Sequence, residues 1–490
     1  MNMELPRKEI KRVVLTYPNQ KWKKHDFNTT RILPPYAICI LATMIKEDYE
    51  VKIVDANLYN MSKEQFQEEI REFRPQVVGI SVLTSEYGST LDDAASYVKE
   101  IDQEIITIAG GVHVTTQYMN VIKNVDIDYA IRGEGEYVLR DLLKYINGKG
   151  KLPGKGLVYR NNEGKTIALF PELIQDLDAL PFPDYDLVDY KAYSTQEAGT
   201  GIDLVHVYPY SRIISSRGCP IGCSFCQVEK ISGKRPRMRS AAKVVEELEI
   251  HKKKHGIKGF LFDDDMPFGS KKRTKEMLRL MIDKKLNLVW KAAGVAIFKM
   301  DEEIFRLMAE SGCQSINIAI ESGSERILKQ IIKKPVDLKK VPEMIKIAKS
   351  YGLGTVANFV IGFPGETWEE IRQTLYYAET CGVDYAKIYV AEPLLGTELY
   401  DQAVAMNAIV GDHSEVGWRY GRIKTDEFDP HELSLLRAYE WDRINFRDPE
   451  KRKKAAMLMG ISEEKLSRIR KETRRQLALA MSEEGLKQAL

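Results

Sequence analysis

From residue 11 to about 147 the chain alternates short β-branched apolar runs with longer amphipathic stretches. The apolar runs are VVLTYP (13–18), VKIVDA (51–56), QVVGISV (76–82), IITIAGG (105–111) and IDYAIRG (127–133). Helix-like segments lie near 36–48, 63–73, 89–99, 115–123 and 135–146. Five strand–helix units at this spacing predict a doubly wound parallel sheet of Rossmann-like α/β type, which takes ligands at the carboxyl ends of its strands. Those ends read PNQ, LTSE, GGVH and GEGE, all small or polar. A hairpin is expected near 155–170, then a proline-rich acidic connector over 171–190. A second series begins at RIISS (212–216) and runs through GFLFDD (259–264), LVWKAA (288–293), SINIAI (315–320), VANFVIG (356–362) and YAKIYVA (385–391). Six such units predict a (β/α)6 barrel, closed or partial, with its chemistry at the carboxyl-terminal mouth. Beyond about 400 the pattern is helical and charged. The expected organisation is therefore a doubly wound domain (1–150), a hairpin and connector (151–205), a barrel (206–398) and a helical C-terminal domain (399–490).

Composition changes this picture little. The 490 residues are 44% hydrophobic and 29% charged, as in ordinary globular proteins. A net charge of +2 gives no electrostatic case for nucleic acid. The charged start MNMELPRKEIKR is unlike a signal peptide, and no charge-free apolar run is long enough to span a bilayer. The six cysteines are one tight trio and three scattered singles, Cys39, Cys313 and Cys381, which read as small buried hydrophobes. That is a poor disulfide framework, so the expected location is the cytoplasm, with the trio serving a metal.

The trio lies in SSRGCPIGCSFCQVEK (215–230), where Cys219, Cys223 and Cys226 follow a C-x3-C-x2-C spacing directly after the first barrel strand. A structural zinc would take four protein ligands, yet the nearest preceding histidine is His206 and no second cysteine pair exists. An iron–sulfur cubane with one iron lacking a protein ligand is the better reading, since thiolates are the usual ligands of such clusters. CPIGCSFC resembles the signature of the radical SAM superfamily. The resemblance implies a 4Fe–4S cluster on the three cysteines, S-adenosyl-L-methionine on the open iron and an anaerobic, low-potential chemistry fed by an external electron donor. It implies that Phe225 packs near the adenine, that Asp263, Asp264 and Asp265 approach the methionine moiety, and that Glu321 and Ser322 lie near the ribose. Asn358, Ile361 and Gly362, in NFVIGFPGET, would flank the adenine. A solvated acidic turn, a helix cap and a tight-turn glycine are the competing readings of these three groups.

A five-unit parallel sheet ahead of such a barrel resembles the cobalamin-binding arrangement of one branch of that superfamily. The resemblance carries over to Pro18 and Asn19, to Leu83, Thr84 and Ser85, to Gly110, Gly111 and His113, and to Gly133, Glu134, Gly135 and Glu136. Glycines there let backbone approach a large ligand, and the helix starts offer N–H groups to a phosphate. The D-x-H-x-x-G motif by which corrinoid carriers supply a histidine to cobalt is absent around His25, His113 and His413. The lower face of a bound corrinoid is then expected to meet Leu83, Thr84 and Ser85.

These resemblances imply a cobalamin-dependent C-methyltransferase acting on an unactivated sp3 carbon. Ring formation with the same cofactors is an alternative. The methylthiotransferases of transfer RNA need a second cysteine trio, and only Cys39 precedes Cys219. A zinc-stapled adaptor leaves the two strand–helix series unexplained. Tyr385, Tyr389 and Glu392, around the last barrel strand, are candidates to line the substrate cavity. The tail carries Arg443, Arg447, Lys451, Arg452 and Lys453, readable as a solvated ion-paired cap or as a face for an anionic partner. In length, cofactor pair and tail the chain is similar to archaeal enzymes that C-methylate a glutamine of methyl-coenzyme M reductase, so the expected substrate is a protein or peptide, with a small molecule or lipid as the alternative.

Overall fold

The computed structural model describes residues 8–22, 33–193, 201–411 and 421–480. The chain divides into two compact units, Met1–Gly199 with Lys230–Gly233, and Thr200–Glu229 with Lys234–Leu490.

The first unit is built on strands β1 (Arg12–Tyr17), β2 (Glu50–Asp55), β3 (Val77–Ser81), β4 (Ile106–Gly110) and β5 (Tyr129–Ile131). Between them run helices α1 (Tyr36–Ile45), α2 (Lys63–Phe73), α3 (Gly88–Ile101) and α4 (Val112–Val121), and α5 (Glu136–Ile146) follows β5. The sheet order is β2-β1-β3-β4-β5, all parallel. Val14, Val78 and Ile80 from the strands meet Phe66, Leu91 and Val98 from α2 and α3 in one buried cluster. The expected hairpin does not stand apart. Its strands β6 (Leu157–Arg160) and β7 (Thr166–Ala168) extend the sheet antiparallel beyond β5.

The second unit carries β8 (Tyr210–Ile213) and a two-residue ladder of β9 (Ser216–Arg217) with β10 (Arg237–Met238); between these two in the chain lies the short α6 (Val228–Ser232). Then come α7 (Ala241–His255), β11 (Gly259–Phe262), α8 (Lys271–Asp283), β12 (Val289–Val295), α9 (Glu302–Glu310), β13 (Cys313–Glu321), α10 (Val341–Ser350), β14 (Gly354–Ile361), α11 (Trp368–Thr380) and β15 (Tyr385–Val390). The sheet runs β8-β11-β12-β13-β14-β15, parallel throughout, with no pairing of β15 to β8, so the barrel is partial. An open edge strand invites mispairing. Here the Asn445 amide covers β15, accepting from the Ala386 N–H and donating to the Ala386 carbonyl, both at 2.8 Å.

Asn445 belongs to α13 (Pro430–Phe446), which follows α12 (Glu398–Ala405) and precedes α14 (Pro449–Leu458) and α15 (Glu463–Ala480). These helices are part of the second unit rather than a separate domain. Phe446, Leu458 and Leu466 join Ile202, Val356 and Tyr385 in a buried cluster that floors the partial barrel. No helix among the described residues is long and apolar enough to cross a membrane.

Candidate functional site

The cysteine loop is held open by its backbone. The β9–β10 ladder closes its neck. Gly218 turns at φ +90°, and its N–H donates to Asp265 Oδ2 at 2.8 Å. Inside the loop, the Ser224 N–H donates to the Ile332 carbonyl (3.1 Å) and the Leu399 N–H to the Ser224 carbonyl (2.9 Å). Gln227 Nε2 reaches the Leu395 carbonyl at 3.0 Å. Cys219, Cys223 and Cys226 are left as free, half-buried thiols.

Burial pushes the Cys223 thiol up to about 12 and Cys226 to about 11, and raises Cys219 as well. The Lys334 ammonium opposes this at all three. Lys334 is 5% exposed and pairs with Glu321 at 2.8 Å. Burial works against its charge, but Glu321 and the thiols outweigh it and hold its pKa above the usual lysine value. Glu321 ends β13 at φ +79°, a left-handed conformation that a non-glycine residue adopts at a cost. A π-helical turn over Ile327–Ile332 then brings Lys334 back to it. Among the described residues no three His, Cys, Asp or Glu side chains converge on the position of a single ion. The thiolates of one tetrahedral zinc would stand ~3.8 Å apart, whereas cysteines on a cubane each bind a different iron. The donor set therefore suits a cluster better than zinc.

The three aspartates after β11 divide their work. Asp263 pairs with Arg212. Asp264 Oδ1 accepts from the Ser215 N–H (2.7 Å), Ser215 Oγ (2.9 Å) and Ser216 Oγ (2.8 Å). Its carboxyl is pushed up to about 6 by burial, against those donors and Arg273. Asp264, expected near a bound methionine, is thus placed as a brace beneath the loop, and Asp265 is the aspartate whose charge acts on Cys219 and Cys226. Ser322 likewise turns inward, bonding Thr374 Oγ1 at 3.0 Å and accepting the Ser324 N–H at 3.1 Å.

After β14 the chain turns through Gly362 (φ +88°). Glu366 Oε2 accepts the N–H groups of Gly362 (2.6 Å) and Phe363 (3.0 Å), and burial pushes this carboxyl up to about 8. Phe363 lies 5.9 Å, ring to ring, from Phe225, so the adenine candidate Phe225 meets the turn that follows Gly362. Ile361 is fully buried, and Asn358 keeps a buried Oδ1 without a partner.

The cavity candidates separate. Tyr385 is buried in the floor cluster, its hydroxyl accepting from Trp441 Nε1 at 2.7 Å. Glu392 is buried against Arg422 at 2.9 Å. Tyr389 alone of the three is half-exposed. Two of the five tail candidates are ion-paired, Arg443 with Glu379 and Glu440, and Arg452 with Glu463. Lys334 and Glu366 escaped the sequence reading, whereas Asp265 lay within the aspartate run it singled out. The glutamate of GFPGET and a lysine following the GSERIL helix start were the available signals.

In the first unit, Gly110 at the end of β4 has open space where a side chain would stand. Gly111 (φ +97°) is so close to Val82 that a Cβ would lie 2.4 Å from its carbonyl oxygen. The His113 ring packs on Gly88, 2.5 Å from an ideal Cβ, its Nδ1 buried without a partner, and burial pushes its pKa down to about 4. Ser85 Oγ is also buried and unpartnered, while Leu83 beside it is 45% exposed. Thr84 caps the following turn through the Glu86 N–H. Glu134 Oε2 accepts the Ile174 N–H at 2.6 Å, Gly133 turns at φ +88°, Gly135 precedes α5, and Glu136 is buried in its first turn. Pro18 is buried, and Asn19 is spent internally on Asn60, Met61 and Lys21. Orphaned polar atoms, an open glycine and an uncovered leucine along one strand-end edge fit a large, partly apolar ligand such as a corrinoid. His25 and His413 lie outside the described residues.

The radical SAM superfamily matches residues 213–378, and the B12 binding domain matches residues 28–143. An uncharacterized methyltransferase of Pyrococcus horikoshii, PH0819, is 33% identical over 418 residues, 84% of this chain and 86% of that one. The cytidylyl-2-hydroxyethylphosphonate methyltransferase of Streptomyces wedmorensis is 28% identical over 461 residues, covering 83% and 84%. Among solved structures, the radical S-adenosylmethionine methyltransferase TsrM of Kitasatospora setae, with cobalamin and a 4Fe–4S cluster bound, shares the fold at TM-score 0.67 and 19% identity over 90% of this chain and 82% of that one. The cobalamin-dependent S-adenosylmethionine radical enzyme OxsB does so at TM-score 0.72 and 15% identity, covering 97% and 73%.

Proposed function

The chain belongs to the cobalamin-binding radical SAM enzymes, and on that premise we propose that it methylates an unactivated sp3 carbon. The observation that carries this reading is the braced cysteine loop: three free thiols around one buried ammonium, on a chain that also carries a B12 binding domain. When bound, the cluster supplies the electron that opens S-adenosylmethionine and the corrinoid supplies the methyl group.

The chain's own residues bind and orient. Cys219, Cys223 and Cys226 would hold the cluster, and Lys334 would offset part of the negative charge their thiolates bring. Asp264 and Asp265 fix the loop's entry. Phe225 and Phe363 offer an aromatic wall for the adenine, with Glu366 locking the turn behind it. In the first unit, Leu83 and Ser85 would face the corrinoid's lower side, and His113, packed against Gly88, would contact its edge rather than ligate cobalt.

A glutamine-containing peptide is the first acceptor to test, on the similarity to the archaeal glutamine C-methyltransferases. The reconstituted protein, with a low-potential reductant and deuteromethyl-labelled S-adenosylmethionine, is incubated anaerobically with the glutamine peptide of methyl-coenzyme M reductase. Mass spectrometry should show gain of one labelled methyl group on carbon. An unchanged peptide with turnover on another acceptor removes the glutamine assignment. Cobalamin that binds yet is never methylated, while S-adenosylmethionine is cleaved, removes methyl transfer itself.

A further inference from the structure

Inside the partial barrel, one stretch of wall is built as a recess. The β12–β13 register slips between Ala292, opposite Ile316, and Val295, opposite Ile318. Strand β12 therefore spends two residues, Ala293 and Gly294, opposite Asn317, a bulge of the kind that re-aims side chains beside active sites. Both bulge residues are half-exposed. Gly294 turns at φ +67°, and a Cβ there would have only the Asp264 carbonyl oxygen nearby, at 3.8 Å. The recess thus adjoins the aspartate that braces the cysteine loop.

Its polar wall is unusual. Asn317 is 7% exposed, and its Nδ2 donates to Asp203 Oδ1 at 3.0 Å. An ionised carboxylate only accepts, so the amide can be oriented in one way, and Oδ1 is the acceptor left over. That oxygen is buried and has no donor. Asn317 pairs with Val356, two residues before Asn358, and Asn358 pairs with Lys387, so the three side chains share one face. Asn358 Oδ1 is buried and unpartnered too. The neighbouring charges are matched: Lys387 pairs with Asp203, and Arg212 with Asp263. Lys291, deeper in, spends its ammonium on the Ile202 and Leu458 carbonyls.

We infer that this recess receives the substrate and selects a neutral group bearing N–H or O–H donors, such as a carboxamide or an alcohol. The inference rests on the proposed methyl transfer and adds the class of acceptor. A hydrocarbon or porphyrin-type ring would leave the two amide oxygens buried and unpaired, which sites built for hydrogen bonds discriminate against strongly. A phosphate would bring oxygens against oxygens, beside cations already neutralised.

Crystals of the full chain soaked in N-acetylglutaminamide, erythritol, methyl phosphate or toluene test this. A neutral donor probe should lie within hydrogen-bond distance of Asn317 Oδ1, and calorimetry should find it bound at least tenfold more weakly by Asn317→Leu. Asn358→Leu, measured in the same way, serves if the first variant does not fold. Methyl phosphate or toluene in the recess, neutral probes absent from it, or unchanged affinity in the variant overturns the inference. A neutral probe bound there with no labelled methyl transferred to any acceptor would overturn methyl transfer and leave the recess standing. Methylation of a phosphate ester or a hydrocarbon would do the reverse.

Discussion

Replacing Lys334 with methionine would test the electrostatics of the cysteine site directly. Methionine keeps most of the side chain's volume and removes its charge, leaving Glu321 buried alone. The pair is separated by 2.8 Å, with side chains 5% and 8% exposed. At an effective dielectric constant of ~20 the attraction is about 6 kcal/mol, most of which offsets the desolvation of the two groups. Removing one partner of such a pair costs about 3–5 kcal/mol, because the other charge stays buried without compensation. We expect Lys334→Met to lose about 4 kcal/mol, read in the apo-protein by guanidinium denaturation under anaerobic conditions. Among the described residues three of the four tryptophans (Trp290, Trp368 and Trp441) belong to the second unit, so fluorescence reports chiefly on it. The double variant Glu321→Gln/Lys334→Met should recover at least half of the loss. The deficit of the single variant should also shrink towards pH 5, where an uncompensated carboxylate takes up a proton. A single variant within about 1 kcal/mol of the parent, or a double variant no better than the single, refutes the reasoning, since either result means that Glu321 needs no partner.

Three further outcomes follow from particular residues. Glu366 is held near 8 by burial, above its unfolded value, so its stabilising contribution is complete below about pH 4.5 and is lost as pH rises to about 8, by up to ~5 kcal/mol. The urea midpoints of the parent and Glu366→Gln should therefore converge or cross between pH 5 and pH 8, and parallel curves would contradict this. Gly111→Ala should cost about 3 kcal/mol or more, from its positive φ and the 2.4 Å approach to the Val82 oxygen; a change under 1 kcal/mol would show that the β4–α4 turn adapts. Cob(II)alamin bound to the protein should give an electron paramagnetic resonance spectrum without nitrogen splitting from a protein ligand, because His113 faces Gly88. Nitrogen splitting that vanishes in His113→Phe would reverse that placement.

The second series of strands lies within three residues of its expected positions because parallel strands covered on both faces read as near-continuous apolar runs. The start of α2 was equally legible, where a capping box of Ser62 with Gln65 fixes it. The start of α4 was not. VHVTT has the composition of a strand, and it is Gly111 at φ +97° that turns it into a helix three residues earlier than expected. Depth inside the barrel was also hidden. Tyr385 and Tyr389 share a face by period two, yet one is in the floor cluster and the other is half-exposed. Charge pairing was hidden for another reason: Glu392 finds Arg422 and Glu321 finds Lys334 through turns whose geometry no local pattern encodes. The aspartate run shows the limit most clearly. Three identical residues differ only in direction, and direction decides which one braces Ser215 and which one meets Gly218.

The cysteine loop's dependence on metal follows from the same bracing. In a zinc finger the ligands have no structure without the ion, so metal binding and folding are one event. Here the Ser224 N–H and carbonyl, the Gly218 N–H and the Gln227 side chain are all satisfied by the protein itself. The loop should therefore stay folded when the cluster is removed. What changes on loading is protonation: burial keeps the empty thiols protonated at neutral pH, and each cysteine that takes an iron must release its proton. Hydrogen exchange of the iron-free protein should find the amides of Gly218 and Ser224 protected to within tenfold of the reconstituted protein, while a pH indicator records proton release during reconstitution. Loop amides exchanging at unstructured rates in the iron-free protein, with β8 still protected, would mean that the cluster folds its own site.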